Sequence, residues 1–226
     1  MRLRTNRHDS CGRFRDSYYL DRLWDYPLST KTHRRSVRED NLIGIVNKAL
    51  EVFVEENLGR DVLQRAKSKA ELGDVAFGVT QAYPDGDTYA LLGAVCEVSG
   101  LEAGAALEAF GRFWIQFAGD RGYGPLIDSA GSDFLSALRG LESLHTRVSL
   151  MFPGAVLPGF FVQDGDESSA NLLYRSARPH LGPFVLGTLH GLAARHGLEA
   201  EILREVLVDE EGRHEERFEL TWSVAS

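Results

Sequence analysis

The chain has 226 residues, 43% of them hydrophobic and 26% charged, with a formal net charge of −8, which suffices for one substantial core but is short for two complete domains. No run reaches the roughly 18–20 apolar residues of a membrane helix, no apolar block followed by small residues makes a secretory signal, and Cys11 and Cys96 alone can anchor no cysteine-rich metal site. Residues 1–40 hold ten Lys or Arg against six Asp or Glu, a net of +4, which leaves −12 on residues 41–226, and so acidic a body repels nucleic-acid phosphate. A cytoplasmic protein is expected, with no membrane and no nucleic-acid partner. Residues 1–41 read as a basic, disordered extension.

From Leu42 the apolar positions Ile45, Val46, Leu50, Phe53, Val54 and Leu58 recur at helical spacing, and Gly59 stops the run. A second, charged and Ala-rich helix covers 60–72. Tyr83-Pro84-Asp85-Gly86-Asp87 forms a turn before a helix from Tyr89 to Val98, closed by Gly100. Cys96, inside that apolar run, reads as a small buried thiol. Leu107, Phe110, Trp114 and Phe117 make an aromatic stripe on a further helix, and a Gly/Pro-rich break at Gly119 to Pro125 ends this helical half, about 42–125.

Ser132-Asp133 then looks like a helix cap, followed by Phe134, Leu138, Leu141, His145, Val148 and Phe152 on one helix face. Beyond Pro153-Gly154 the period becomes strand-like over Leu157–Gln163 and Asn171–Ala177, with a polar turn between. A helix from about Phe184 to His196 precedes two strands, Glu201–Val208 and Arg213–Trp222, joined by Asp209 to Gly212. The second half, about 126–224, is therefore helix, hairpin, helix, hairpin. The whole of 42–224 is expected to be an α+β domain, a helical subdomain joined to a four-stranded antiparallel sheet with helices.

Catalytic motifs are absent: there is no phosphate-binding Gly loop, no G-x-S-x-G and no H-E-x-x-H. An enzyme is not expected. Two features carry other chemistry. His145 sits on an apolar helix face, where an unpaired imidazole would cost on the order of 1–3 kcal/mol; it is either a satisfied core histidine or a ligand. Tyr174, Ser176 and Arg178 alternate along an extended segment and project to one face, offering a phenol, a hydroxyl and a guanidinium. That is either a solvated strand face or a site for one or two acidic groups.

The segments Glu142 to Val148, Phe152-Pro153-Gly154-Ala155, Pro158 and Tyr174-x-Ser176-x-Arg178 together resemble the heme nitric oxide/oxygen-binding family. Gly44 to Glu51, Ala82-Tyr83-Pro84-Asp85 and Ala109 to Phe113 are similar to further family segments, so the resemblance runs from about Leu42 to Trp222. It implies a heme-based gas sensor with heme b between the two halves. His145 would be the proximal iron ligand, Tyr174, Ser176 and Arg178 would bind the heme propionates, and Pro158 would press on the porphyrin. Ile45, Ala49, Trp114 and Phe184 are the implied distal pocket, although a one-residue gap leaves Pro183 as an alternative to Phe184 where some relatives carry an oxygen-binding tyrosine. The implied ligands are nitric oxide and carbon monoxide. The implied partner is a separate protein such as a histidine kinase, a cyclic-dinucleotide enzyme or a chemotaxis receptor. The alternative is a heme-free small-molecule-binding or scaffold domain of the same fold.

Overall fold

A computed structural model describes residues 41–152, 155–178, 180–208 and 214–225. The expected basic extension lies almost wholly outside the described residues, as do Pro153-Gly154 and the turn 209–212.

The first half is helical. A short strand β1 (Asn41–Ile43) leads into α1 (Gly44–Leu58), where Gly59 with φ 96° stops the helix, and then into α2 (Arg60–Lys69). The strand β2 (Ala82–Pro84) runs directly into α3 (Asp85–Ser99), followed by α4 (Ala103–Ala118), a kinked turn over Gly119–Tyr123 in which Arg121 and Gly122 leave helical geometry, and α5 (Gly124–Asp128). Helix α3 begins four residues before the expected Tyr89, with Asp85 and Asp87 in its first turn, where carboxylates meet the positive end of the helix dipole. The antiparallel β1–β2 pair was not expected; it is three residues long on each side, too short to leave an alternating pattern. The Gly/Pro-rich break proves to be turned backbone rather than an open loop.

The second half comprises α6 (Phe134–Met151), β3 (Gly159–Gly165), β4 (Ser169–Arg175), α7 (Gly182–Arg195), β5 (Leu198–Val208) and β6 (His214–Val224). The strands form one antiparallel sheet in the order β3-β4-β6-β5, as the α+β reading expects. Asp133 caps α6 by accepting from the Ser136 backbone N–H at 2.8 Å, and Ser136 Oγ lies 3.0 Å from the Asp133 N–H, completing a capping box.

Each half has its own core. Leu50, Val54, Leu91, Val95 and Phe110 anchor the first, and Leu138, Leu172, Leu189, Phe218 and Leu220 the second. The halves are clasped where α4 meets α7: a Cβ at Gly111 would come 2.1 Å from the Phe184 carbonyl oxygen, and one at Gly187 would come 1.9 Å from that of Glu108. Only glycine allows the two backbones so close. No single described helix is long and apolar enough to cross a membrane.

Candidate functional site

Between the two cores lies a cavity of about 280 Å³ walled mainly by apolar side chains from α1, α3, α4, α6, β3 and α7. That is near the lower end of the roughly 300–1,000 Å³ typical of ligand pockets. The apolar stripe of α6 explains the wall on its side. Only Phe134, Ala137 and Leu138 of this helix are fully buried, whereas Leu141, His145 and Val148 face the cavity.

His145 packs its ring on Phe160 with centroids 5.2 Å apart, and Phe160 packs at the same distance on Tyr174. Its Nδ1 is buried and makes no well-formed hydrogen bond, the Pro158 backbone carbonyl being the polar group close to the ring. Burial holds its pKa below the ordinary histidine value, opposed by a hydrogen bond to the Pro158 backbone and by the nearby Glu142 carboxylate. The ring is thus neutral at pH 7, with one polar atom unmet in a cavity wall, as expected where a ligand supplies the missing partner. Glu142, one turn earlier, accepts a hydrogen bond from the Phe160 backbone N–H at 3.2 Å and so ties α6 to the start of β3.

The polar wall is reached differently from the sequence expectation. Strand β4 ends at Arg175, so Ser176 and Arg178 do not continue an extended alternation. The chain bends instead, with the Arg178 N–H donating to Ser176 Oγ at 3.0 Å. Tyr174, Ser176 and Arg178 nevertheless all line the cavity, as does Pro158. The Tyr174 phenol is pushed up to about 12, first by burial and further by Glu216, against a hydrogen bond with Ser176 and the charge of Arg178. It stays protonated and can donate.

Asp85 was not singled out from the sequence as a site residue. The Arg178 guanidinium donates to both its carboxylate oxygens, at 2.6 and 3.1 Å, and to the Val156 carbonyl. The two side chains are only 6% and 1% exposed. The signal in the sequence was an Asp directly after Pro84 at the head of an apolar helix; its partner 93 residues away is visible only in the fold.

On the other walls, Ile45, Trp114 and Phe184 line the cavity, with the Phe184 ring tilted against that of Phe110, centroids 5.2 Å apart. Phe184, rather than Pro183, is the residue in the wall. Ala49 is fully buried in the helical core, and the wall beside it is made by Val46 and Leu50. Tyr123 and Thr188 also reach the cavity, the Thr188 hydroxyl donating to the Phe184 carbonyl at 2.9 Å. Among the described residues no group of three His, Cys, Asp or Glu side chains could hold a metal ion.

Residues 43–204 match the family model described as Haem-NO-binding. The chain is 26% identical over 152 residues to soluble guanylate cyclase gcy-33 of Caenorhabditis elegans, covering 67% of this chain and 16% of that protein. It is 24% identical over 159 residues to soluble guanylate cyclase 89Da of Drosophila melanogaster, covering 70% and 24%. It thus spans less than a quarter of the length of these relatives. Among solved structures, the H-NOX protein from S. oneidensis in the Fe(II)NO ligation state is similar with a TM-score of 0.71 and 20% identity, covering 80% of this chain and 99% of that one. An oxygen-binding H-NOX domain related to soluble guanylate cyclases, in its oxygen complex, gives 0.67 and 16%, covering 81% and 96%. At these identities the likeness establishes the fold.

Proposed function

The chain belongs to the Haem-NO-binding family, and on that premise we propose that it is a sensor of nitric oxide and carbon monoxide that uses heme b and passes its state to an effector outside residues 42–224. The observation that carries this reading is His145, a buried imidazole in the wall of an apolar cavity whose Nδ1 makes no well-formed hydrogen bond. One imidazole cannot hold a free metal ion, so a metal at His145 has to arrive with its remaining ligands already in place, as iron does in a porphyrin. The donor set fits that group. His145 would be the axial ligand, Tyr174, Ser176 and Arg178 the propionate partners, and Pro158 a contact on the ring. The sequence contains no C-x-x-C-H motif of the kind that attaches heme covalently, in keeping with heme b. When bound, heme supplies an iron at which a diatomic gas coordinates. The protein's part is to exclude water with Ile45, Trp114 and Phe184, to hold the acidic edge, and to transmit movement through α6, whose cavity-facing half is held to β3 by Glu142.

The Arg178–Asp85 pair supports a second reading. A guanidinium already satisfied by a buried carboxylate is what a heme-free scaffold or small-molecule-binding domain of this fold would keep. The absorption spectrum of the purified chain, before and after addition of hemin, decides between them. A Soret band that shifts on adding nitric oxide to the reduced protein is expected; no Soret band after reconstitution would leave the scaffold reading.

A further inference from the structure

Glu216 belongs to none of the groups so far assigned to the cavity, yet it touches two of its walls from behind. It lies on the inner face of β6, directly across from Tyr174 on β4, and is 8% exposed. Arg204 on β5 approaches its carboxylate at 2.6 Å. On the far side the carboxylate rests against the first residue of α7: a Cβ built on Gly182 would come 1.7 Å from Oε2 and 2.6 Å from Oε1. Helix α7 has no side-chain cap of its own. Its N-terminus is also where a negative charge is most favourable. The connection into α7 passes through His180 at φ 65°, a left-handed conformation that a non-glycine residue keeps only when its surroundings hold it. A buried carboxylate thus stands at the junction of the Tyr174 phenol, the start of the helix that carries Phe184 and Thr188, and the turn that follows Arg178.

We propose that Glu216 is a positioning residue for the cavity: balanced by Arg204, it couples Tyr174 to the first turn of α7 and so fixes the spacing between the polar wall and the wall that carries Phe184. This role rests on the reading of Tyr174 as a partner of the heme carboxylates. It also accounts for glycine at position 182, where any side chain would displace the carboxylate.

The test uses the full chain in two parts. The first is a double-mutant cycle on thermal unfolding. Gly182→Ala is expected to lower the Tm in the wild-type background and to lower it much less in a Glu216→Ala background, because the clash is then gone. Equal losses in the two backgrounds would overturn the contact. The second part compares Glu216→Gln, which keeps the shape and the Arg204 contact, with the wild type after heme loading. Heme transfer to a scavenger is expected to be several-fold faster and the reduction midpoint to shift, since the Tyr174 phenol is then no longer held in place at the polar wall. Both effects should largely disappear in a Tyr174→Phe background. A Glu216→Gln protein with wild-type transfer rate and midpoint would reduce Glu216 to a helix anchor and overturn the positioning role. A wild-type chain that takes up no heme overturns the underlying heme reading and this role with it, while the unfolding cycle still reports on the contact itself.

Discussion

A buried nitrogen without a hydrogen bond costs on the order of 1–3 kcal/mol, and His145 Nδ1 makes no well-formed one. His145→Gly removes the unmet atom together with the proposed iron ligand, so the protein is expected to fold but to lose coordinated heme, and added imidazole to restore it. A wild-type spectrum in the variant without imidazole would disprove the assignment. At the polar wall the magnitudes differ. Arg178 and Asp85 are a buried, bidentate pair, and removing one member of such a pair costs about 3–5 kcal/mol because the other charge is stranded. Asp85→Asn is therefore expected to lower the unfolding free energy by roughly that amount in a denaturant titration. Arg178→Ala should lower both stability and heme retention. Tyr174→Phe keeps the ring and loses one donor, so heme transfer to a scavenger should accelerate less than in Arg178→Ala; unchanged transfer rates in both variants would contradict the propionate role.

Among the elements, α6 was the most legible in the sequence, because a cap at Asp133 and an apolar run at three- and four-residue steps are local signals. Its capping carboxylate is held below the usual range, first by the hydrogen bond from the Ser136 backbone. A depressed folded-state pKa contributes stability above the unfolded value and loses it as pH falls through the folded one. The Tm difference between wild type and Asp133→Ala should therefore be constant near neutrality and shrink below about pH 4; a difference that persists unchanged in acid would mean that the charge plays no part. The strands were legible as strands but displaced: β4 ends at Arg175, two residues before its expected end at Ala177, because pairing with β3 and β6 sets its limits and pairing is not a local property. The same cause hid β1–β2, and Ala49 was named for the pocket from the family resemblance alone, which gives a position and not which neighbouring side chains make the wall. The α4–α7 clasp was invisible because helical spacing gives a face and not what lies opposite it. Gly111→Ala puts a methyl group against the Phe184 carbonyl oxygen, and overpacking of this kind costs about 1–3 kcal/mol. Thermal unfolding should show a lower Tm; an unchanged Tm would mean that the helices can separate freely.

At the scale of the whole molecule, the wall proposed to face the gas is assembled from helices far apart in the sequence, and its chemistry follows from which side chains the fold brings together. Ile45 comes from α1, Trp114 from α4, and Phe184 and Thr188 from α7. A lasting oxygen complex of reduced heme needs a hydrogen-bond donor beside the bound gas, whereas nitric oxide and carbon monoxide bind well in apolar surroundings. Phe184 offers no donor. Thr188 has already committed its hydroxyl proton to the Phe184 carbonyl at 2.9 Å, and a second acceptor could claim it only by breaking that bond. The indole of Trp114 and the phenols of Tyr89 and Tyr123 are further donor groups among the described lining residues, and Tyr123 enters from the turned backbone that follows α4. The reduced, heme-loaded protein is accordingly expected to change its absorption spectrum with nitric oxide and with carbon monoxide, and to give no oxygen-bound spectrum that persists in air. Phe184→Tyr places a phenol in the same wall and should lengthen the lifetime of the oxygen-bound form, measured by stopped-flow mixing with aerated buffer. If the wild-type spectrum in air is that of a stable oxygen complex, a donor does reach the gas; Tyr89→Phe, Trp114→Phe and Tyr123→Phe then identify it, according to which substitution abolishes the complex.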